Sequence, residues 1–235
     1  MQIRDGFVDG IYSYCDRWCE TCAFTSWCRL FAESARGDAA EDPNMKPIVE
    51  APPLPQDVPP EPPPWMRELL AEQKPAAVTT VGRDAPPRRD KPDCDDHALL
   101  RRARSYSLNV HRWRSAQQNL ECSDPGDPRA IISWFAWMIP AKINRALSSR
   151  AYADPDDPDC PRDHDGSAKV ALIGIERSHA AWLRLADEGT SAFSFISDLV
   201  WIGEEVEREF PAARSFVRPA FDEPEAVARL RATTG

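Results

Sequence analysis

Four cysteines fall within one short run, Cys15-x3-Cys19-x2-Cys22-x5-Cys28, in YCDRWCETCAFTSWC. A segment this short cannot bury four thiols as ordinary core side chains. Thiolates bind soft and borderline metals, and four of them complete either a tetrahedral zinc or an iron–sulfur cluster. Structural zinc sites usually join two close pairs across a longer insert. Here the ligand set is consecutive, as in ferredoxin-type runs that wrap one chain around a cube. The spacing therefore points to a 4Fe-4S cluster, with zinc (Zn) as the alternative. Tyr12, Tyr14, Trp18, Phe24, Trp27 and Phe31 flank the ligands. They would exclude water from a cluster or form a small core for the head, and the two roles are compatible.

Part of this run has known counterparts. Cys19-x2-Cys22-x5-Cys28 resembles the last three ligands of the iron–sulfur loop in helix-hairpin-helix DNA glycosylases, which also runs into a short helix. The first gap is x3 here and x6 in that family, and no glycosylase hairpin or catalytic aspartate pattern follows. The resemblance implies the cofactor and not the activity. Cys15-x3-Cys19-x2-Cys22 also looks like the radical-SAM triplet. In that family the cluster keeps an open iron, and a barrel of βα units follows. This chain has a fourth cysteine, then proline and helices.

Weaker constellations lie further on. Cys94-x2-His97 and Cys160-x3-His164 precede two of the expected helices, and in an up-down-up-down bundle those helix starts share one end. Cys94, His97, Cys160 and His164 could then form a second metal site with two thiolate and two imidazole ligands. Cys122 has no comparable partner. The aspartates around Gly166 suggest a calcium loop, but that register puts Pro161 first and Leu172 twelfth, where carboxylates are needed. Glu176-x-x-His179 has the one-turn spacing of di-iron bundle ligands, but no second such motif accompanies it. The bland alternative for His179 is a core histidine between Ile175 and Trp182. Leu99 to Arg114 carries five arginines and no acid. These are expected to pair with carboxylates of neighbouring helices, and otherwise to meet an acidic partner or a phosphate. No GxSxG elbow, phosphate loop or dinucleotide fingerprint is present.

The elements that must position these residues follow from composition. The chain has 235 residues, 23 Pro, 10 Gly, 7 Cys and a net charge of −9. Fourteen of the prolines lie between Pro43 and Pro92, which predicts extended or polyproline II chain. A short helix at 65–73 (WMRELLAEQ) interrupts it. The head, 1–42, has Phe7, Ile11, Tyr12 and Tyr14 at roughly helical spacing before the cysteines. After them it has a short helix that Gly37 ends. From 93 onward four amphipathic helices are expected, near 95–121, 128–150, 168–186 and 191–209. Their apolar stripes include Leu99, Tyr106 and Val110; Ile132, Phe135 and Ile139; Leu172, Ile175 and Trp182; Leu199, Ile202 and Val206. Pro140 should kink the second, and Asp165 or Ser167 should cap the third.

The expected fold is all-α: an antiparallel four-helix bundle at 93–212, preceded by the small four-cysteine head and the linker at 43–92. A tail follows at 213–235. The most apolar run, Ile131 to Ala141, is too short to span a membrane, and no secretory leader is visible. An odd cysteine count without such a leader argues for reduced thiols and a cytoplasmic setting. The acidic balance argues against nucleic acid as a general partner. The expected function is a 4Fe-4S cluster-binding helical protein, in electron transfer, redox sensing or a structural cluster role. Its partner would be a protein or a redox carrier. A zinc-binding interaction module is the alternative, and a bundle metalloenzyme using Glu176 and His179 is the third reading.

Overall fold

The computed structural model describes residues 2–40, 94–117, 124–153 and 162–228. The proline-rich stretch, the helix expected at 65–73, Cys122 and Cys160 lie outside these residues. Met1–Asp38 and Lys91–Gly235 belong to one compact unit.

That unit is mostly helical. Five α-helices are described: α1 (Arg29–Ala40), α2 (Ala98–Ala116), α3 (Pro128–Tyr152), α4 (Asp163–Asp187) and α5 (Phe193–Glu209). A two-stranded antiparallel sheet precedes them, β1 (Ile3–Arg4) paired with β2 (Phe7–Val8). This corrects the strand-free reading of the head. Asp5 and Gly6 both take positive φ, 54° and 82°, the conformation of a two-residue hairpin turn that an Asp-Gly pair favours. Phe7 and Ile11 are therefore not on one helix face. Phe7 lies in a strand, and Ile11–Ser13 forms a 3-10 turn. Gly37 stays inside α1 and does not end it.

The four long helices pack α2 on α3, α3 on α4, α4 on α5 and α5 back on α2, with α3–α4 the most extensive pairing. Their shared core contains the expected stripes, with Tyr106, Phe135, Trp182, Leu199 and Ile202 fully buried. Asp127 caps α3 by accepting from the Arg129 N–H at 2.7 Å, and Pro128 fills the first helical position. Helix α4 begins earlier than its apolar periodicity suggests, at Asp163. Asp165 and Ser167 therefore lie within its first turns and do not cap it. Two acids there, Asp163 and Asp165, still suit the positive end of the helix dipole. Pro140 stays buried within α3.

Val8 and Ile11 from the head share a second, smaller core with Ala220 and Val227, with Phe24, Trp27, Cys28 and Phe221 packed against it. The segment expected as a tail thus completes the head's apolar packing. Among the described residues no helix is long and apolar enough to cross a membrane.

Candidate metal centre

The cysteine run folds as tight turns joined by extended residues. Cys19–Thr21 and Thr25–Trp27 are 3-10 turns, closed by Cys22 N–H to Cys19 O at 3.2 Å and Cys28 N–H to Thr25 O at 3.2 Å. Successive tight turns make a short chain double back, so all four cysteines come to line one pocket. Ile11, Phe24, Phe31 and Phe221 line it as well. All four thiols are partly buried and none is in a disulfide. Among the described residues no group of three or more His, Cys, Asp or Glu is placed to hold a metal ion.

Two of the sulfurs already have polar neighbours. The Phe24 N–H donates to Cys22 Sγ at 3.4 Å, and Cys15 Sγ donates to Tyr12 O at 3.5 Å. Burial pushes the Cys19 thiol up, and the neighbouring Cys15, Cys22 and Cys28 push it further. Burial also raises Cys22, against the lowering effect of the Phe24 N–H. Four crowded thiolates would repel one another, and a bound cationic centre relieves that.

The helices hold the loop from behind. Trp134 Nε1 of α3 donates to Asp16 O at 2.8 Å, and Arg177 of α4 pairs with the Asp16 carboxylate at 2.8 Å. Lys142 Nζ donates to Ser13 O at 3.0 Å. Burial pulls the Lys142 pKa down to about 8, and the charge of nearby Cys15 offsets part of that. Tyr14 packs on Phe216 at 4.8 Å between ring centroids, and both lie over Gly166 of α4. A Cβ at Gly166 would stand 2.3 Å from the Tyr14 ring, so the close approach requires glycine. Tyr14 also bonds Asp163, which accepts from Arg145 at 2.7 and 3.0 Å and from Ser149 at 2.7 Å. Burial works to raise the Asp163 pKa, but these bonds outweigh it and hold the carboxyl below its usual value.

The other candidates are placed as follows. His97 Nε2 lies 3.9 Å from Glu209, and the His164 ring faces Phe210 at 6.4 Å. Both histidines thus reach the same corner at the end of α5. Among the described residues, their buried Nδ1 atoms have no hydrogen-bond partner. Cys94 Sγ accepts from Ser148 Oγ at 3.9 Å. Cys160, the fourth member of that set, lies outside the described residues.

Glu176 and His179 line a groove between α4 and α5 together with Glu204, Glu207 and Arg214. Arg214 donates to Glu176 at 2.8 Å and also pairs with Glu207, so a guanidinium already neutralises this carboxylate pair. His179 is half-buried at the groove wall. Among the α2 arginines, Arg102 pairs with Asp198 of α5 as expected, whereas Arg101 and Arg104 pair with Asp96 and Asp95 just ahead of their own helix.

Phe221 of the pocket wall, and the Lys142 and Arg177 anchors, are contributions that sequence reading missed. A Phe among tail residues and basic residues on long helices carry no local signature of a distant cysteine loop. Comparison of the chain with known protein families, characterised proteins and solved structures finds no match.

Proposed function

We propose that the chain binds a 4Fe-4S cluster through Cys15, Cys19, Cys22 and Cys28, and that the cluster serves electron transfer or redox sensing. The carrying observation is the convergence of all four thiols on one apolar pocket. The consecutive spacing of the four favours a cuboidal cluster over a zinc ion, whose sites usually join two separated pairs. The residues present fit such a group: four thiols, an N–H directed at one sulfur, and an aromatic lining. When bound, the cluster would supply one-electron chemistry. The chain's own part is to hold it, keep it dry and set its charge surroundings through Lys142. Closed four-cysteine ligation leaves no iron open for substrate, so a protein or small redox carrier is the expected partner. Reduced, partly buried thiols suit a cytoplasmic setting.

We read the four long helices as an antiparallel four-helix bundle that serves as the scaffold behind the loop. The cycle of pairings from α2 through α5 and back supports this reading. Anaerobic purification followed by iron, sulfide and zinc analysis tests the cofactor. About four irons and four sulfides per chain, with absorption at about 400 nm, are expected. Stoichiometric zinc without sulfide overturns the reading.

A further inference from the structure

Helix α3 is apolar beyond the residues that it buries. Ile132, Phe135, Ala136, Ile139 and Ile143 are buried in the shared core. Beside them Ala130, Trp134, Trp137, Met138 and Ala141 line a groove, Trp134 and Met138 while also packing against that core. Exposed apolar surface is costly in water, and Trp137 is 66% exposed. The groove measures about 640 Å³, the size of a small-molecule site.

Its remaining walls are cationic and aromatic. Arg114 comes from α2, and Arg17 and Trp18 come from the cysteine loop. Arg17 has φ of 60°, an uncommon conformation for a residue with a long side chain. The turn around it is fixed: Asp16 is bonded to both α3 and α4, and Cys19 N–H donates to Arg17 O at 3.0 Å. Yet Arg17 itself has no ion pair among the described residues, whereas the Asp16 carboxylate beside it is taken by Arg177. The loop thus presents an exposed arginine, on backbone of positive φ, to the wall of a tryptophan-lined groove. Indole faces take flat rings, and a guanidinium takes phosphate or carboxylate.

We propose that this groove binds a flat aromatic anion of mononucleotide size, with its ring against Trp134 and Trp137 and its anionic group at Arg17 and Arg114. Flavin mononucleotide and adenine nucleotides share that chemistry. Arg17 and Trp18 line both this groove and the thiol pocket, and Trp18 stacks on Trp134. Binding does not depend on what occupies the thiol pocket, and metal and sulfide are assayed on the same preparation so that the two readings fail separately.

The test uses the full chain, anaerobically purified, and follows quenching of flavin fluorescence. Flavin mononucleotide should quench saturably and bind about tenfold more tightly than riboflavin, which lacks the phosphate. Adenosine monophosphate should displace it, because ring and phosphate are the shared chemistry. Inorganic phosphate alone should compete poorly. Arg17→Gln should bring the affinity for the mononucleotide down to that for riboflavin. Trp137→Ala, at an exposed position the fold does not need, should abolish quenching with iron content unchanged. Absence of saturable quenching, no displacement by adenosine monophosphate, equal binding of riboflavin, or indifference to both substitutions overturns the proposal.

Discussion

The indole of Trp18 stacks on that of Trp134 with ring centroids 5.3 Å apart and planes 18° from parallel. Trp134 Nε1 meanwhile reaches past it to the carbonyl of Asp16. One side chain of α3 thus grips the cysteine loop by its backbone and by its aromatic face. Trp134→Phe should keep an apolar ring and lose the hydrogen bond, costing about 1 kcal/mol. Trp134→Ala should also lose the stack and cost about 3 kcal/mol. Urea unfolding monitored by circular dichroism measures both. Equal stability of the two variants would show that the stack contributes nothing.

If the proposed cluster is bound, exchange of each of Cys15, Cys19, Cys22 and Cys28 for Ser should sharply reduce bound iron and sulfide, because each thiolate would serve a separate iron. Cys94→Ser should leave both unchanged, since Cys94 lies by Ser148 and outside the pocket. Metal analysis of the five proteins decides the assignment. Retention of full iron and sulfide after loss of Cys28, the ligand that closes the set, would refute four-cysteine ligation.

Gly166→Ala should destabilise the fold by about 2 kcal/mol, through overpacking against Tyr14 and Phe216. The displaced ring is next to Cys15 in the chain, so iron release to a chelator should also quicken. Thermal unfolding and chelation kinetics on one preparation test the two effects together.

Asp222 carries an acid sensitivity. Burial works to raise its pKa, but bonds from Arg218 and Lys169 prevail and hold it far below the ordinary 3.8. A depressed carboxyl stabilises the fold above the unfolded value, and that contribution fades as pH falls through the folded one. Stability should therefore drop as pH falls below about 3.8, and Asp222→Asn should flatten that drop at the cost of stability at neutral pH. Melting temperature followed from about pH 7 downward reads this directly; parallel curves for the two proteins would remove Asp222 from the account.

Lys142 is a cation, 6% exposed, whose field reaches Cys15. Adding an electron to a cluster adds negative charge, which a buried cation favours. Lys142→Met should therefore make the midpoint potential more negative, and a change at exposed Arg101 should not. Voltammetry of the two variants provides the comparison.

Much of the helical unit can be read from periodicity. Leu99, Phe135, Trp182 and Ile202 recur at helical spacing, and burial follows that pattern because one face of each helix must leave water. Asp127-Pro128 likewise marks the start of α3 by local chemistry alone. The head is harder. Its hairpin rests on Asp5-Gly6, a clear turn signal obscured by the helix-like spacing of Phe7 and Ile11. The four cysteines announce themselves, since their types and spacing are local. Their surroundings do not: Trp134, Lys142, Gly166, Arg177 and Phe221 reach the loop through tertiary packing. Single-chain spacing carries no record of such long-range meetings.

Phe221 closes the wall of a pocket whose other components all lie within residues 11–31. T-shaped packing of Phe24 on Phe221, with centroids 4.9 Å apart, joins segments far apart in the order of translation. The cysteines therefore leave the ribosome long before their cover exists. Any cofactor delivered to the nascent chain would meet an open, wet loop, whereas delivery after release would be followed by enclosure. Insertion of the proposed cluster would consequently be a matter of timing, and a chain cut short before Phe221 would retain all four thiols while lacking the door.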